Sequence, residues 1–186
     1  NEPIVGVLFE RAVHQADGAT AIKTDRPVLL ETEVGFTLGK PITKPVTEHD
    51  VFDAITHCRG MIELASPNLQ QRPTSVDLIS NNSASYGCIV GASNKHPLDI
   101  DLDAIPVTLR RLAAEDELLH TATAGSVMAG QRDALIWLIN STLAQGYTLQ
   151  AGHMLMTGSI GSMHSGKAGK YRAGLGALGD LTFALG

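Results

Sequence analysis

The chain has 186 residues, 44% of them hydrophobic and 18% charged, enough for one domain with a proper core and unlike a disordered polymer. A net charge of −5, with Arg110-Arg111 the one adjacent basic pair, excludes the basic face of a nucleic-acid binder. Nineteen glycines against 4% aromatics favour a fold of tight turns and close backbone packing.

Residues 27–38 (PVLLETEVGFTL) mix β-branched and apolar side chains and predict a strand. Glu31 and Glu33 stand two apart there, so both carboxylates share one face. Residues 39–45 read as a turn or loop. Thr47 is then a plausible N-cap, with Glu48 and Asp50 in a first turn and Val51, Ala54, Ile55 and Cys58 at helical spacing. The pattern predicts a helix through Cys58.

Residues 61–65 (MIELA) form a short apolar run broken by Glu63 and closed by Pro67. Residues 77–91 begin apolar, pass through a polar Asn81-Asn82-Ser83-Ala84-Ser85 stretch and end in a buried-looking CIVG. A loop over 96–103 leads to a strand at 105–109; residues 114–117 turn, and 118–124 return as the second half of a hairpin. The clearest helix is 133–145, with Leu135, Ile136, Leu138, Ile139 and Leu143 at helical spacing, Trp137 in the core, and Gly146 at the stop. A Gly/Ser-rich loop follows from 152, and short strands are expected at 170–173 and 181–185. No repeat or linker is visible, so one mixed α+β domain over 1–186, with strands outnumbering helices, is the economical reading.

Cys58 and Cys88 occupy unrelated contexts and are expected as buried free thiols. No apolar run approaches the ~20 residues that span a bilayer, and the start lacks a signal-peptide pattern, so no membrane partner and a cytoplasmic location are expected. Gly161 to Lys167 fits a phosphate-loop spacing, but Ala168 replaces the required Ser or Thr. Asp99, Asp101 and Asp103 lack the Gly and Glu of a calcium loop. The histidines show no zinc-hydrolase spacing, and His164 reads as a solvated loop residue.

Glu31, Glu33 and Glu63 all stand in apolar, strand-like surroundings, where a carboxylate needs a cation, a hydrogen-bond network or solvent. Their hard oxygens suit Mg²⁺ or Mn²⁺, leaving other coordination positions for water and substrate. On pattern alone, a solvated strand face is the simpler account of an E-x-E.

The surrounding sequence resembles the 2-hydroxypentadienoate (2-keto-4-pentenoate) hydratase branch of the fumarylacetoacetate hydrolase superfamily. Residues 30–40 (LETEVGFTLGK) resemble its E-x-E-x-x-F-x-L-G-K signature, and 51–64 resemble a helix and strand ending in its third metal-binding Glu. Residues 77–91 resemble its D-x-x-A-D-N-A-S block, Met156 to Ser159 its L-T-G-S, and 174–183 its glycine-rich end. The opening Pro3 to Leu8 resembles its P-x-x-G-x-L.

The resemblance implies a strongly curved mixed β-sheet or β-roll with flanking helices, like that superfamily's C-terminal domain, preceded by an upstream segment. It implies Glu31, Glu33 and Glu63 as ligands of Mg²⁺ or Mn²⁺, and a small 2-oxo acid substrate whose enolate the metal stabilises. It implies hydratase activity in aromatic catabolism, with decarboxylase, C–C hydrolase or a non-catalytic relative as alternatives, and a homo-oligomer. Ser83, Ser85 and Glu10 are the implied catalytic candidates; Asn82, Gly158 and Ser159 are the implied substrate contacts.

Three departures bear on proton transfer. The family's upstream Lys motif does not occur in this sequence, Glu63 is followed by Leu64-Ala65-Ser66-Pro67 in place of Asp-Ser-Arg, and an acidic position is Asn81. Glu10 is the acid that could substitute.

Overall fold

The computed structural model describes residues 3–69, 71, 73–92 and 95–186. The strands are β1 (Val13–Gln15), β2 (Ala21–Ile22), β3 (Leu29–Leu38), β4 (Ile55–Ala65), β5 (Ser85–Val90), β6 (Pro106–Leu112), β7 (Glu117–Thr123), β8 (Met154–Met156), β9 (Ile160–Ser165), β10 (Gly169–Gly174) and β11 (Asp180–Leu185). The helices are α1 (Ser75–Ser80) and α2 (Gln131–Ala144). One mixed sheet runs β1-β5-β4-β3-β8, with β9 also on β3; the other runs β2-β11-β10-β6-β7. β1 and β2 are the parallel additions to otherwise antiparallel ladders. Strands thus outnumber helices among the described residues of an α+β chain, as the succession of predicted elements implies.

The two sheets share one core. Leu30, Val34, Phe36, Ile62, Leu64 and Ile89 come from the first, and Leu109, Tyr171, Ala173, Leu181 and Phe183 from the second, all at most 2% exposed. Burying a side chain of this size contributes about 1.5–3 kcal/mol, so this interior dominates the folding energy. Along β3 the even-numbered residues face it, which turns Glu31 and Glu33 to the sheet's other side.

The expected helix through Cys58 is not formed. Residues Val51–Ala54 make a single 3-10 turn, and β4 then runs for 11 residues from Ile55. Val51, Ala54, Ile55 and Cys58 do fit helical spacing, but β4 buries Cys58, Gly60, Ile62 and Leu64 at a period of two. Pairing with β3 from Leu29↔Ala65 to Leu38↔Ile55 satisfies this backbone, and the β-branched Ile55 and Thr56 and the helix-weakening Gly60 favour the extended choice.

The expected loop from 152 contains β8 and β9. β9 hides from pattern reading because all but Ile160 of its six residues are exposed or half-buried. Its pairing Leu30↔His164 brings His164 onto His120, with ring centroids 5.1 Å apart, so it is not simply solvated. Trp137 is half-buried beside Ile136, Asn140 and Ala144 in a surface groove and does not belong to the core. Helix α2 buries Leu135 and Ile139 instead. Cys58 and Cys88 are buried free thiols. Among the described residues, no helix is long and apolar enough to cross a membrane.

Candidate metal centre

The antiparallel register places Glu31 opposite Glu63, and Glu33 opposite Met61, the next same-face residue on β4. The face that a two-residue period gives Glu31 and Glu33 is therefore also the face of Glu63. One carboxylate oxygen from each of the three lies within 4.8 Å of the others. Glu33 is 2% exposed, and Glu31 and Glu63 are half-buried. Among the described residues, none of the three forms an ion pair with Lys, Arg or His.

Burial raises the pKa of all three carboxyls, and the Glu63 charge adds to the rise at Glu31 and Glu33. Burial, then the Glu63 charge, pushes Glu31 up to about 7. Burial and the Glu63 charge raise Glu33 well above the ordinary range, against the Gly158 N–H. Burial raises Glu63, against the Ser85 hydroxyl. Cys88, opposite Glu63 on β5, is pushed up to about 12 by burial and then by the Glu63 and Glu33 charges, so it is an inert thiol. Three clustered carboxylates cannot all ionise together without a counter-charge.

The polar groups around the triad orient it. Ser85 Oγ donates to Glu63 Oε1 at 2.8 Å, and Gly158 N–H donates to Glu33 Oε2 at 2.8 Å. Gly158 has φ +107°, a conformation that side chains rarely adopt, which is why this turn between β8 and β9 requires glycine. The buried Ser159 hydroxyl lies close enough to Glu31 to draw its pKa down, yet among the described residues it meets no partner in full hydrogen-bond geometry. An oxygen-only donor set, no cationic partner and an orphaned hydroxyl together fit a hard divalent cation with room for exchangeable ligands. Replacing Ser85 by alanine is expected to weaken Mn²⁺ binding about tenfold, measured by titration, because it frees Glu63 to turn.

The other expected site residues are placed differently. Asn82 uses both ends of its amide on Val7, accepting from its N–H at 2.8 Å and donating to its carbonyl at 2.7 Å. It clamps the N-terminal segment near the site. Ser83 is half-buried with φ +56° between Asn82 and Ser85. Glu10 lies exposed in a 3-10 turn after that clamped segment. Asn81 donates to the Pro67 carbonyl.

Gln131 was not legible as a site residue. It is 0% exposed at the start of α2, where it donates to the Ala124 carbonyl at 2.7 Å and accepts from Thr157 Oγ at 2.6 Å. Through Thr157 it fixes the turn that aims Gly158 at Glu33. A polar residue at a helix start reads as surface, so the one available signal is its position ahead of an apolar run. Gln131→Leu leaves the buried Ala124 carbonyl unpaired and restricts the Thr157 hydroxyl to its longer bond to the Val34 carbonyl at 3.2 Å, and is expected to cost about 1–3 kcal/mol in thermal or denaturant unfolding.

No family model matches the chain. It is 26% identical over 186 residues to 2-keto-4-pentenoate hydratase 2 of Dechloromonas aromatica, covering 98% of this chain and 70% of that protein. To the 2-oxo-hept-4-ene-1,7-dioate hydratase of Escherichia coli it is 31% identical over 170 residues, covering 86% and 62%. The fold superposes on 4-oxalocrotonate decarboxylase from Pseudomonas putida G7, complexed with magnesium and adipate, with a TM-score of 0.85 at 18% identity, covering 97% and 68%. In sequence the chain is thus similar to 2-keto-4-pentenoate and 2-oxo-hept-4-ene-1,7-dioate hydratases, and its fold is that of 4-oxalocrotonate decarboxylase.

Proposed function

We propose that this chain carries the metal centre of a hydro-lyase that adds water to a 2-hydroxy-2,4-dienoate or its 2-oxo-4-enoate tautomer. The observation that carries the reading is the cluster of three buried or half-buried carboxylates with no cationic partner among the described residues. The hydratase names of its relatives support the reaction class.

Glu31, Glu33 and Glu63 would hold Mg²⁺ or Mn²⁺, which supplies Lewis-acid polarisation of a 2-oxo acid's carboxylate and keto oxygens. Ser85 and the Gly158 N–H keep Glu63 and Glu33 in position. Ser159, buried beside Glu31, offers its hydroxyl to a substrate oxygen. Asn82 supports substrate placement indirectly, by clamping Val7. Ser83, beside Ser85, helps orient substrate or the added water. Glu10, exposed at the end of the clamped segment, carries a proton between solvent and substrate. We read the enzyme as a homo-oligomer, supported by the exposed apolar side chains Val76 and Ile79 on α1, which are 70% and 62% exposed.

Decarboxylation is the second reading, favoured by Asn81. A neutral amide cannot act as the base that activates water, whereas loss of carbon dioxide needs no such base. The test supplies Mn²⁺ with 2-hydroxypenta-2,4-dienoate, and separately with 2-oxohex-3-enedioate. Disappearance of the dienoate absorbance with formation of 4-hydroxy-2-oxopentanoate supports hydration. Carbon dioxide release from the second compound alone assigns decarboxylation, and no turnover of either contradicts both.

A further inference from the structure

The sheet face that carries the triad continues along β4 as Met61, Arg59 and His57, because alternate residues of a strand share a face. Cross-strand, Arg59 stands opposite Gly35, and Met61 opposite Glu33. Beside the triad the face is apolar: Met61, Cys88 and Val90 are buried together, with Leu8, Val13, Met154 and Met156 packed against them. The Met61 thioether lies directly over Gly35, where a Cβ would collide with it. The carboxylates are thus followed by a methionine-lined stretch, and then by a cation.

Arg59 is half-buried and has no carboxylate partner among the described residues. Among the described residues its buried Nε has no hydrogen-bond partner, and Nη1 reaches the Gly91 carbonyl only at 3.5 Å. The guanidinium also donates to His57 Nε2. Burial, then the Arg59 charge, lowers the His57 pKa, leaving the imidazole a neutral acceptor that orients the guanidinium. A partly buried guanidinium with an idle N–H, beside no acid, is an unsatisfied anion receptor.

We propose that Arg59 is a specificity-determining residue that receives a distal carboxylate, so that the substrate of this site is an ω-carboxylated 2-oxo acid with an apolar middle. This deepens the metal-centre reading and rests on it. The spacing is suitable. Four residue steps along the strand lead from Glu63 to Arg59, roughly 13 Å. A metal–oxygen bond of about 2 Å, an extended six-carbon chain of about 6 Å and a charge-assisted hydrogen bond of about 3 Å cover most of that span, and the arginine stem covers the rest. The methionine wall suits the methylene or vinylene carbons between, since thioethers adapt to irregular apolar shapes.

The probe is a pair of non-hydratable ligands of equal chain length, 2-oxoadipate and 2-oxohexanoate, which differ in a terminal carboxylate against a methyl. Binding is titrated on the Mn²⁺-loaded chain and on its Arg59→Leu and Arg59→Lys variants, after Mn²⁺ affinity has been measured separately on each. The wild type is expected to prefer 2-oxoadipate by about tenfold or more. Arg59→Leu brings the ratio near one, and Arg59→Lys retains part of it, with the metal still bound in both. Equal affinities in the wild type, or a preference unchanged in Arg59→Leu, overturn the role of Arg59 while leaving the metal centre standing. A wild-type chain that binds no Mn²⁺ overturns the metal-centre reading and this proposal with it.

Discussion

Glu33→Gln abolishes divalent-metal binding while raising the melting temperature of the metal-free chain. Glu33 is the most deeply buried of the three carboxyls, and burial and the Glu63 charge both oppose its ionisation. Without a cation, the folded state alone must hold that carboxyl protonated at a pH where the unfolded chain ionises it, which costs stability. Glutamine keeps the shape and can still accept from the Gly158 N–H, which now donates to Glu33 Oε2 at 2.8 Å. Neutralising one of three clustered carboxyls should therefore stabilise the metal-free fold by about 1–2 kcal/mol, or roughly 3–6 °C for a chain of this size. Function moves the other way. An amide is a poorer ligand for a hard cation, and losing several kcal/mol of Lewis-acid stabilisation lowers kcat/KM by roughly a thousandfold. Stability gained at a functional site with activity lost is the mark of residues held there against the fold's own preference. Parallel thermal melts and Mn²⁺ titrations check it; a variant that melts lower and binds Mn²⁺ as well as wild type would falsify the assignment of Glu33.

The pH dependence of stability is the second large effect. Glu31 titrates near 7 in the folded chain, against an ordinary 4.5, so the folded state holds the proton more tightly than the unfolded one. Below the ordinary value both states are protonated and no penalty exists. As pH rises from there to about 7, the unfolded chain loses its proton first, and the metal-free fold becomes less stable. Beyond that, the Glu31 contribution is flat. Its size is on the order of 3 kcal/mol. Glu33 and Glu63 shift in the same direction and extend the decline upward. A divalent cation supplies the missing counter-charge, so its stabilising effect is small at low pH and grows toward neutrality as it displaces protons. Melting temperatures between pH 4.5 and 8, with and without Mn²⁺, should diverge with rising pH. Parallel curves would mean that the metal binds elsewhere.

The site was legible in the sequence where chemistry follows the strand period. Glu31 and Glu33 share a face because they stand two apart in an evident strand, and Glu63 joined them through the resemblance of its surrounding residues. Ser85 and Gly158 lay in quoted motifs, but their partners required the register. Their hydrogen bonds to Glu63 and Glu33 cross 22 and 125 residues of sequence. Asn82, expected on the substrate, pairs its amide with the Val7 backbone, an arrangement that depends on the N-terminal segment returning to this face.

The misread elements share a cause. Residues 51–58 satisfy a helical spacing that tertiary pairing overrides, and β9 is polar because its two faces are largely open. Local pattern records what a segment buries; where neighbours decide, or where little is buried, the pattern is silent. Arg59 passed unremarked for a related reason: a single arginine in a strand carries no motif, and its position two rows from the triad's edge exists only once β4 is known to be extended.

Mn²⁺ titration of the wild-type chain at neutral pH, followed by the loss of the free-ion paramagnetic resonance signal, tests the central claim most directly. The account predicts binding in the micromolar to millimolar range that Glu31→Ala and Glu63→Ala each abolish. A folded wild-type chain that leaves the free-ion signal unchanged, or variants that titrate like it, would contradict the metal centre.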